Sequence, residues 1–162
     1  MTAQTAAARA PAETETDRTL VLTRVFKASP AAIYRAWTTA EALASWMGPR
    51  SIKTSDVGPL EVRPGGRYRI GMRGESGATH TVCGVYREVV PDRKLVFTWA
   101  WEDAASGKLG HESLVTISLR ALGERTEMTL RHERFDSKGA RDNHGEGWTG
   151  SFDKLVEWLA KG

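Results

Sequence analysis

The chain has 162 residues, of which 40% are hydrophobic and 27% are charged, a balance typical of a single globular domain. Its 23 basic and 20 acidic residues leave a formal net charge of +3. These charges are interspersed, and the basic segment from Arg63 to Arg73 is interpreted as a solvated strand edge. No long basic face with aromatic partners is present, so nucleic-acid binding is not predicted.

Targeting signals are also missing from the sequence. No run of about 18 or more apolar residues is present, which excludes a conventional membrane-spanning helix. The Ala- and Thr-rich beginning lacks the basic start and apolar run of a secretory signal. Residues 1–18 are interpreted as a flexible tail and residues 19–162 as a single domain. Cys83 is the single cysteine, so no intramolecular disulfide can form and a cytoplasmic location is expected.

The predicted elements begin with a strand of β-branched and aromatic residues after Thr19. Ser29 and Pro30 form a helix start signal, and Thr39 is predicted to cap a second short helix that Gly48-Pro49 ends. From about Lys53 the period changes to two, which predicts about six strands joined by short turns before a long C-terminal helix. Short turns imply an antiparallel sheet, and the terminal helix must cover one face of it. The predicted fold class is therefore α+β.

Alternation along the strands predicts which side chains face inward. The strand from Thr79 to Val90 stays ambiguous, because Val82 and Tyr86 share one face and Val85 and Val89 share the other. The inward set in the other strands is Tyr68, Ile70, Met72, Leu95, Phe97, Trp99, Trp101, Val115, Ile117, Leu119, Thr126, Met128, Leu130 and His132. It includes several large groups with polar atoms, which a small-molecule pocket needs, although core filling explains most of it.

After "DSKGARDN" the closing stretch, "HGEGWTGSFDKLVEWLAKG", predicts a helix that runs to the end of the sequence and is strongly amphipathic from Trp148 onward. Its apolar stripe contains Trp148, Phe152, Leu155 and Leu159, and it extends backwards to Gly145, His144 and Arg141. Gly147 and Gly150 fall on the other side. Since the stripe is small or polar in its first half, the sequence predicts a space beneath Gly145 and Trp148.

The sequence contains no recognisable catalytic or metal-binding motif. His132, Glu133 and His144 do not form an HExxH motif, and adjacent strand residues point to opposite faces, so no metal site is predicted. No GxSxG, Walker A or GxGxxG pattern is present, and no cofactor is expected.

Several strings resemble the stand-alone bacterial members of the activator-of-heat-shock-protein-90-ATPase homologue family. They are "AIYRAWTTAEALASWMGP", "PGGRYRIGM", "GVYREVVPDRKLVFTWAW", "LVTISLRALGERTEMTLRHERF" and "HGEGWTGSFDKLVEWL", and the resemblance covers roughly residues 19 to 161. That family belongs to the START-like, Bet v 1-like (SRPBCC) superfamily. The resemblance implies a helix-grip fold, in which a curved antiparallel sheet of six to seven strands surrounds a long C-terminal helix. It also implies two short helices after the first strand and a cavity between sheet and helix.

The leading hypothesis for function is binding of a small, largely hydrophobic or aromatic molecule in that cavity. The candidate residues are Trp46, Tyr68, Ile70, Met72, His80, Trp99, Trp101, Met128, His132, Arg141, His144, Trp148 and Phe152. Of these, Trp46, Trp99, His132 and Trp148 match recurrent aromatic and histidine positions that line or bound the cavity in the resembling family.

Two alternatives stay open. One is a co-chaperone or stress-response partner, although the eukaryotic co-chaperones carry a further N-terminal domain where this chain has a short tail. The other is a cyclase- or dehydratase-type enzyme with His132 as general acid or base. The resemblance also makes a homodimer possible, but no residue argues for one.

Overall fold

The computed structural model describes residues 12–161, with the side chain of Thr54 excepted. Seven strands form one antiparallel sheet in the order β1-β7-β6-β5-β4-β3-β2. The strands are β1 (Leu20–Phe26), β2 (Ile52–Leu60), β3 (Arg67–Gly74), β4 (Thr79–Val90), β5 (Lys94–Trp101), β6 (Ser113–Leu122) and β7 (Arg125–Glu133). The helices are α1 (Pro30–Thr38), α2 (Ala40–Trp46) and α3 (Lys138–Ala160), preceded by a 3-10 turn at Thr16–Arg18. The predicted α+β helix-grip architecture is confirmed.

The two short helices begin differently. The Ser29 hydroxyl accepts a hydrogen bond from the Ala32 amide at 3.1 Å, with Pro30 in the first helical position, which is the predicted start signal. Thr39 precedes α2, but its side chain makes no capping bond there. Its hydroxyl donates instead to the Arg35 carbonyl at the end of α1, at 3.0 Å. Thr39 thus occupies the predicted N-cap position of α2 without a side-chain capping bond, because the end of α1 competes for its hydroxyl.

The terminal helix α3 begins at Lys138, within the "DSKGARDN" segment after which the sequence predicts it to start. Ser137 caps it by accepting from the Ala140 amide at 3.1 Å. A carboxylate oxygen of Glu13 accepts from the Lys138 amide at 2.8 Å. These bonds satisfy amide groups that a helix start leaves free. The helix thus extends through a glycine-rich stretch that intrinsic propensity disfavours.

The segment before β1 contacts the start of α3. Besides the Glu13 contact, Arg141 reaches the Thr16 carbonyl at 3.4 Å, and the Phe135 amide donates to the Arg18 carbonyl at 3.2 Å. Residues 1–11 of the predicted tail lie outside the described residues. The division at residues 18 and 19 stays a prediction.

The core lies between the sheet and the three helices. Trp37 is central to it, with its ring centroid 4.7 Å from that of Trp46 and 5.8 Å from that of Trp148. All the predicted inward side chains are buried except Trp101 and Leu119, which are half-buried. In the ambiguous strand β4 the buried residues are Val82 and Tyr86. Among the helices of the described residues, none has the length and apolarity needed to cross a membrane.

Candidate functional site

A pocket of about 850 Å³ lies between the N-terminal half of α3 and one end of the sheet. Its walls come from α3, from strands β3 to β5, from the α2–β2 connection and from the β3–β4 hairpin. The volume falls within the range of about 300–1,000 Å³ that small-molecule sites occupy. The first half of α3 therefore leaves space above the sheet, as the sequence predicts.

The helix contributes a stripe of small or polar residues to the pocket. Asn143, Gly147 and Ser151 are spaced one turn apart, and His144 and Trp148 lie beside them. Residues four apart stack on one side of a helix. Because none of the three stripe residues is large, the helix leaves open the volume that leucine or phenylalanine would fill.

The glycine that faces this space is Gly147, not Gly145, so the prediction for these two positions is wrong. A Cβ atom added at Gly147 would meet no atom within 4 Å. One added at Gly145 would lie 3.3 Å from Cδ1 of Leu20 on β1, and one at Gly150 would lie 3.2 Å from Pro49. The apolar stripe indicates where α3 packs on the core, whereas the pocket lies beside that stripe.

Three indoles form the apolar wall. The ring centroids of Trp99 and Trp148 are 5.0 Å apart, and Trp101 meets Trp99 edge-on at 5.5 Å. The side chains of Met47 and Met72 add two thioethers, which are buried. Aromatic faces and flexible thioethers give such a wall a large and adaptable contact area.

The α2–β2 connection closes one side of the pocket. Gly48 there has a φ of 92°, and a Cβ atom would come within 2.9 Å of Ile52 and 3.0 Å of Met72. Pro49 lies against Gly150 of α3, and Lys154 donates to the Pro49 carbonyl at 3.4 Å. Arg50 forms an ion pair with Glu157. The connection is thus attached to α3 along one side.

His132 lies behind the indole wall and has no exposed surface. The Trp148 Nε1–H group donates to His132 Nδ1 at 3.0 Å, and His132 Nε2 lies 2.7 Å from Ser113 Oγ. Ser113 donates in turn to the Trp99 carbonyl at 3.2 Å. These partners require a neutral imidazole with its proton on Nε2. Burial, with a further contribution from His144, lowers the pKa of His132 well below its ordinary value.

His144 lines the pocket and has an equally defined protonation state. Its Nδ1–H group donates to the Ala140 carbonyl at 2.7 Å, and its Nε2 atom accepts from Trp101 Nε1 at 2.9 Å. Burial lowers the pKa of His144, against smaller opposing contributions from the Ala140 carbonyl and Asp136. Both histidines are therefore neutral near pH 7.

Six of the predicted site residues line the pocket: Met72, His80, Trp99, Trp101, His144 and Trp148. His80 lies at the exposed mouth. The other seven do not line it: Trp46, Tyr68, Ile70, Met128, His132, Arg141 and Phe152. Six of these seven are buried in the core, and Arg141 instead pairs with Asp142 at 2.9 Å. Alternation and helical period identify the inner side of each element, but not which end of the sheet stays uncovered.

Other lining residues escape sequence reasoning. They are Met47, Gly48, Pro49, Ser51 and Ile52 of the α2–β2 connection, the hairpin residues Gly74, Glu75, Ser76 and Ala78, and Asn143, Gly147 and Ser151 of α3. Gly48-Pro49 is legible in the sequence only as a helix end. Ser113, the hydrogen-bond partner of His132, begins a strand and carries no motif.

Within residues 12–161, no set of three His, Cys, Asp or Glu side chains is placed to hold a metal ion. Among the same residues, a single buried side-chain nitrogen or oxygen lacks a hydrogen-bond partner, the Nε1 atom of Trp99.

The sequence pattern of the family described as "Activator of Hsp90 ATPase homolog 1-like protein" matches residues 27–160. The chain belongs to this family. The match includes both short helices, strands β2 to β7 and all of α3. It therefore contains every element that lines the pocket.

Solved structures of similar bacterial proteins agree with that assignment. The AHSA1 protein SPO3351 from Silicibacter pomeroyi is 28% identical with a TM-score of 0.78, and covers 88% of this chain and 97% of its own. Protein CV1439 from Chromobacterium violaceum is 29% identical with a TM-score of 0.80, over 88% of this chain and 96% of its own. A protein from Arthrobacter aurescens, 19% identical with a TM-score of 0.82, covers 93% of this chain and 90% of its own and shares the fold. Among the curated proteins, none matches this chain by sequence.

Proposed function

We propose that this member of the activator-of-Hsp90-ATPase-homologue family binds a small, largely apolar or aromatic molecule in the pocket beneath α3. The observation that carries the proposal is the space of about 850 Å³ against three indoles. Protein interiors are close-packed, so a concave space of this size beside the core is where the fold offers room for a small molecule. Apolar walls with a few polar groups at the mouth are typical of ligand sites.

The hydrogen bonding inside the pocket supports an apolar ligand body. Trp101 and Trp148 each donate to a histidine, and the Ser151 hydroxyl donates to the Gly147 carbonyl at 2.9 Å. These donors are already satisfied, and the indole donor of the wall that lacks a partner is Trp99 Nε1–H, so the buried wall offers few hydrogen bonds to a polar ligand. Recognition then rests on stacking and burial of apolar surface, at about 25 cal/mol per Å².

The test is a titration with the neutral fluorescent probe N-phenyl-1-naphthylamine, monitored by probe emission and by quenching of tryptophan fluorescence. The variant Gly147→Leu fills the pocket from the helix side. Leucine favours a helix by about 0.8–1 kcal/mol over glycine. This variant should therefore be at least as stable as the wild type but should no longer bind the probe. Saturable binding by the wild-type chain and its loss in G147L are expected.

The matched control is Gly139→Leu, the same substitution in the same helix outside the pocket. It is expected to bind the probe like the wild type. Absence of saturable binding, or equal loss of binding in both variants, contradicts the proposal.

A chaperone-directed role is a second candidate, favoured by the family match over residues 27–160. It requires an interaction surface. The large hydrophobic side chains exposed on the described residues lie on four separate elements: Val21, Val25, Leu109, Leu122 and Val156. Stimulation of the ATPase of the host's heat-shock-90 homologue by the purified chain would establish this role.

We place the protein in the cytoplasm on the basis of its single cysteine.

An enzymatic role for His132 receives no support from the geometry. Both of its ring nitrogens have protein partners, and no part of the residue is exposed. A general acid or base must come within hydrogen-bond reach of its substrate. His132 instead supports the indole wall from behind.

A further inference from the structure

We infer that the pocket selects neutral or cationic ligands and discriminates against carboxylates and other anions. The inference rests on the proposed function and specifies the charge of the ligand. It is carried by the charges around the pocket: within the described part of the chain, no lysine or arginine lines it, and Glu75 is its one acidic residue.

Three of the cations that flank the lining residues are already engaged, and a fourth, Arg73, alternates with the buried Met72 on β3 and therefore lies on the other face of the sheet. Lys53 pairs with Glu75 at 2.9 Å, Arg50 pairs with Glu157, and Lys154 donates to the Pro49 carbonyl at 3.4 Å. Using one of them to neutralise an anionic ligand would break an existing contact. An anion in the pocket would therefore lose its hydration without gaining a counter-charge, which is a large cost for a carboxylate.

The polar groups inside the pocket are equally unsuited to an anion. His144 is held neutral by burial and by its two hydrogen bonds, so it offers no charge and no free N–H group. The indole N–H groups of Trp101 and Trp148 are used within the protein, so among the three indoles only the buried Trp99 N–H lacks a partner. One neutral donor does not replace the hydration of a carboxylate, and the faces of the indoles carry partial negative charge and attract cations.

The exposed mouth of the pocket also disfavours anions. The exposed lining residues Ser51, Glu75, Ser76, His80 and Asn143 are polar, and Glu75 adds a carboxylate. A ligand with an apolar aromatic body would point its polar end there. The serine and asparagine side chains there can donate as well as accept, so they serve a hydroxyl, an ammonium or a carboxylate. Glu75 is the lining group that carries a charge, and it attracts an ammonium and repels a carboxylate.

The experiment compares three ligands that share one ring system: 2-naphthylmethanol, 2-naphthylmethylammonium and 2-naphthoate. Their affinities for the full chain are measured calorimetrically at low salt and at about pH 8, where histidine side chains are uncharged. The alcohol and the ammonium are expected to bind at least about tenfold more tightly than the carboxylate. Naphthoate binding as tightly as the alcohol overturns the inference and leaves the proposed function standing. No binding by any of the three overturns both.

A second experiment introduces a positive charge at the mouth of the pocket. Asn143→Lys adds a cation to a lining position of α3. We expect it to reduce the ratio between the affinities for the alcohol and for naphthoate by at least about threefold. Thr149→Lys is the matched control, because it adds the same charge to an exposed position of α3 outside the lining. If both variants change the relative affinity for naphthoate equally, the net charge of the protein accounts for the effect and the inference is overturned.

Discussion

Trp148 of α3 and His132 of β7 are joined by a buried hydrogen bond in which the indole Nε1–H donates to His132 Nδ1 at 3.0 Å. The Nε2–H group of His132 donates to the Ser113 hydroxyl, which donates in turn to the Trp99 carbonyl. His132 thus connects the indole of Trp148 with the main chain of Trp99 through β7, β6 and β5. The long helix is thereby fixed in rotation above the sheet by a polar contact as well as by apolar packing.

Truncating this connection should destabilise the protein strongly. His132→Ala leaves a cavity and leaves the indole N–H of Trp148 without an acceptor. The combined loss in the free energy of unfolding is expected to be about 3–4 kcal/mol. Urea unfolding followed by tryptophan fluorescence measures it. His80→Ala, at the exposed mouth, serves as control and should change stability by less than about 0.5 kcal/mol. A comparable loss in both variants would show that the network has no special role.

Stability should fall as the solution is acidified below the ordinary histidine pKa of 6.5. Burial depresses the pKa of both His132 and His144 in the folded state. Below pH 6.5 the unfolded chain therefore binds protons that the folded chain does not, and each such histidine contributes a slope of up to about 1.4 kcal/mol per pH unit. The contribution is fully present above this range and is lost as the pH falls.

Unfolding curves from roughly pH 7.5 to 5.5 test this, since carboxylates titrate mainly below that window. His144→Asn should reduce the slope, whatever it does to stability at neutral pH. A free energy of unfolding that stays constant across the window would contradict the assignment of neutral buried histidines.

The indole of Trp101 should control the protonation of His144. Its Nε1–H group occupies the lone pair that a proton would take, at 2.9 Å from His144 Nε2. Trp101→Phe keeps an aromatic ring but frees that lone pair, so the pKa of His144 should rise. Histidine ring resonances followed by NMR through a pH titration report it directly. Trp158→Phe, remote from His144 at the end of α3, should leave the pKa of His144 unchanged.

Gly84 on β4 should tolerate no side chain. A Cβ atom there would lie 2.0 Å from the Thr98 carbonyl oxygen and 2.7 Å from the ring of Tyr68. Since the nearest atom belongs to the backbone, Gly84→Ala must displace β5 and should cost about 3 kcal/mol or more. Gly71→Ala, on β3 with its nearest neighbour at 3.6 Å, is the control and should cost about 1 kcal/mol or less. Thermal unfolding of the two variants tests this difference.

Much of the fold is legible in the sequence because local patterns and the fold agree. Alternation from Tyr68 to Met72 places those side chains inside, and Ser29 with Pro30 marks the start of α1, as the structure confirms. Period, capping and turn chemistry act within a few residues, so they can be identified without knowing the tertiary structure.

Tertiary structure alone decided where the pocket lies. The helix start at Lys138 combines the local Ser137 cap with a bond from the distant Glu13. The orientation of Gly147 toward open space depends on how α3 is set above Leu20 and Pro49. His132 carries the same inward signal as its strand neighbours, yet it lies behind the indole wall because Trp148 and Ser113 enclose it. Sequence period determines which side of an element is buried, whereas the packing of elements distant in the chain determines which buried side borders an empty space.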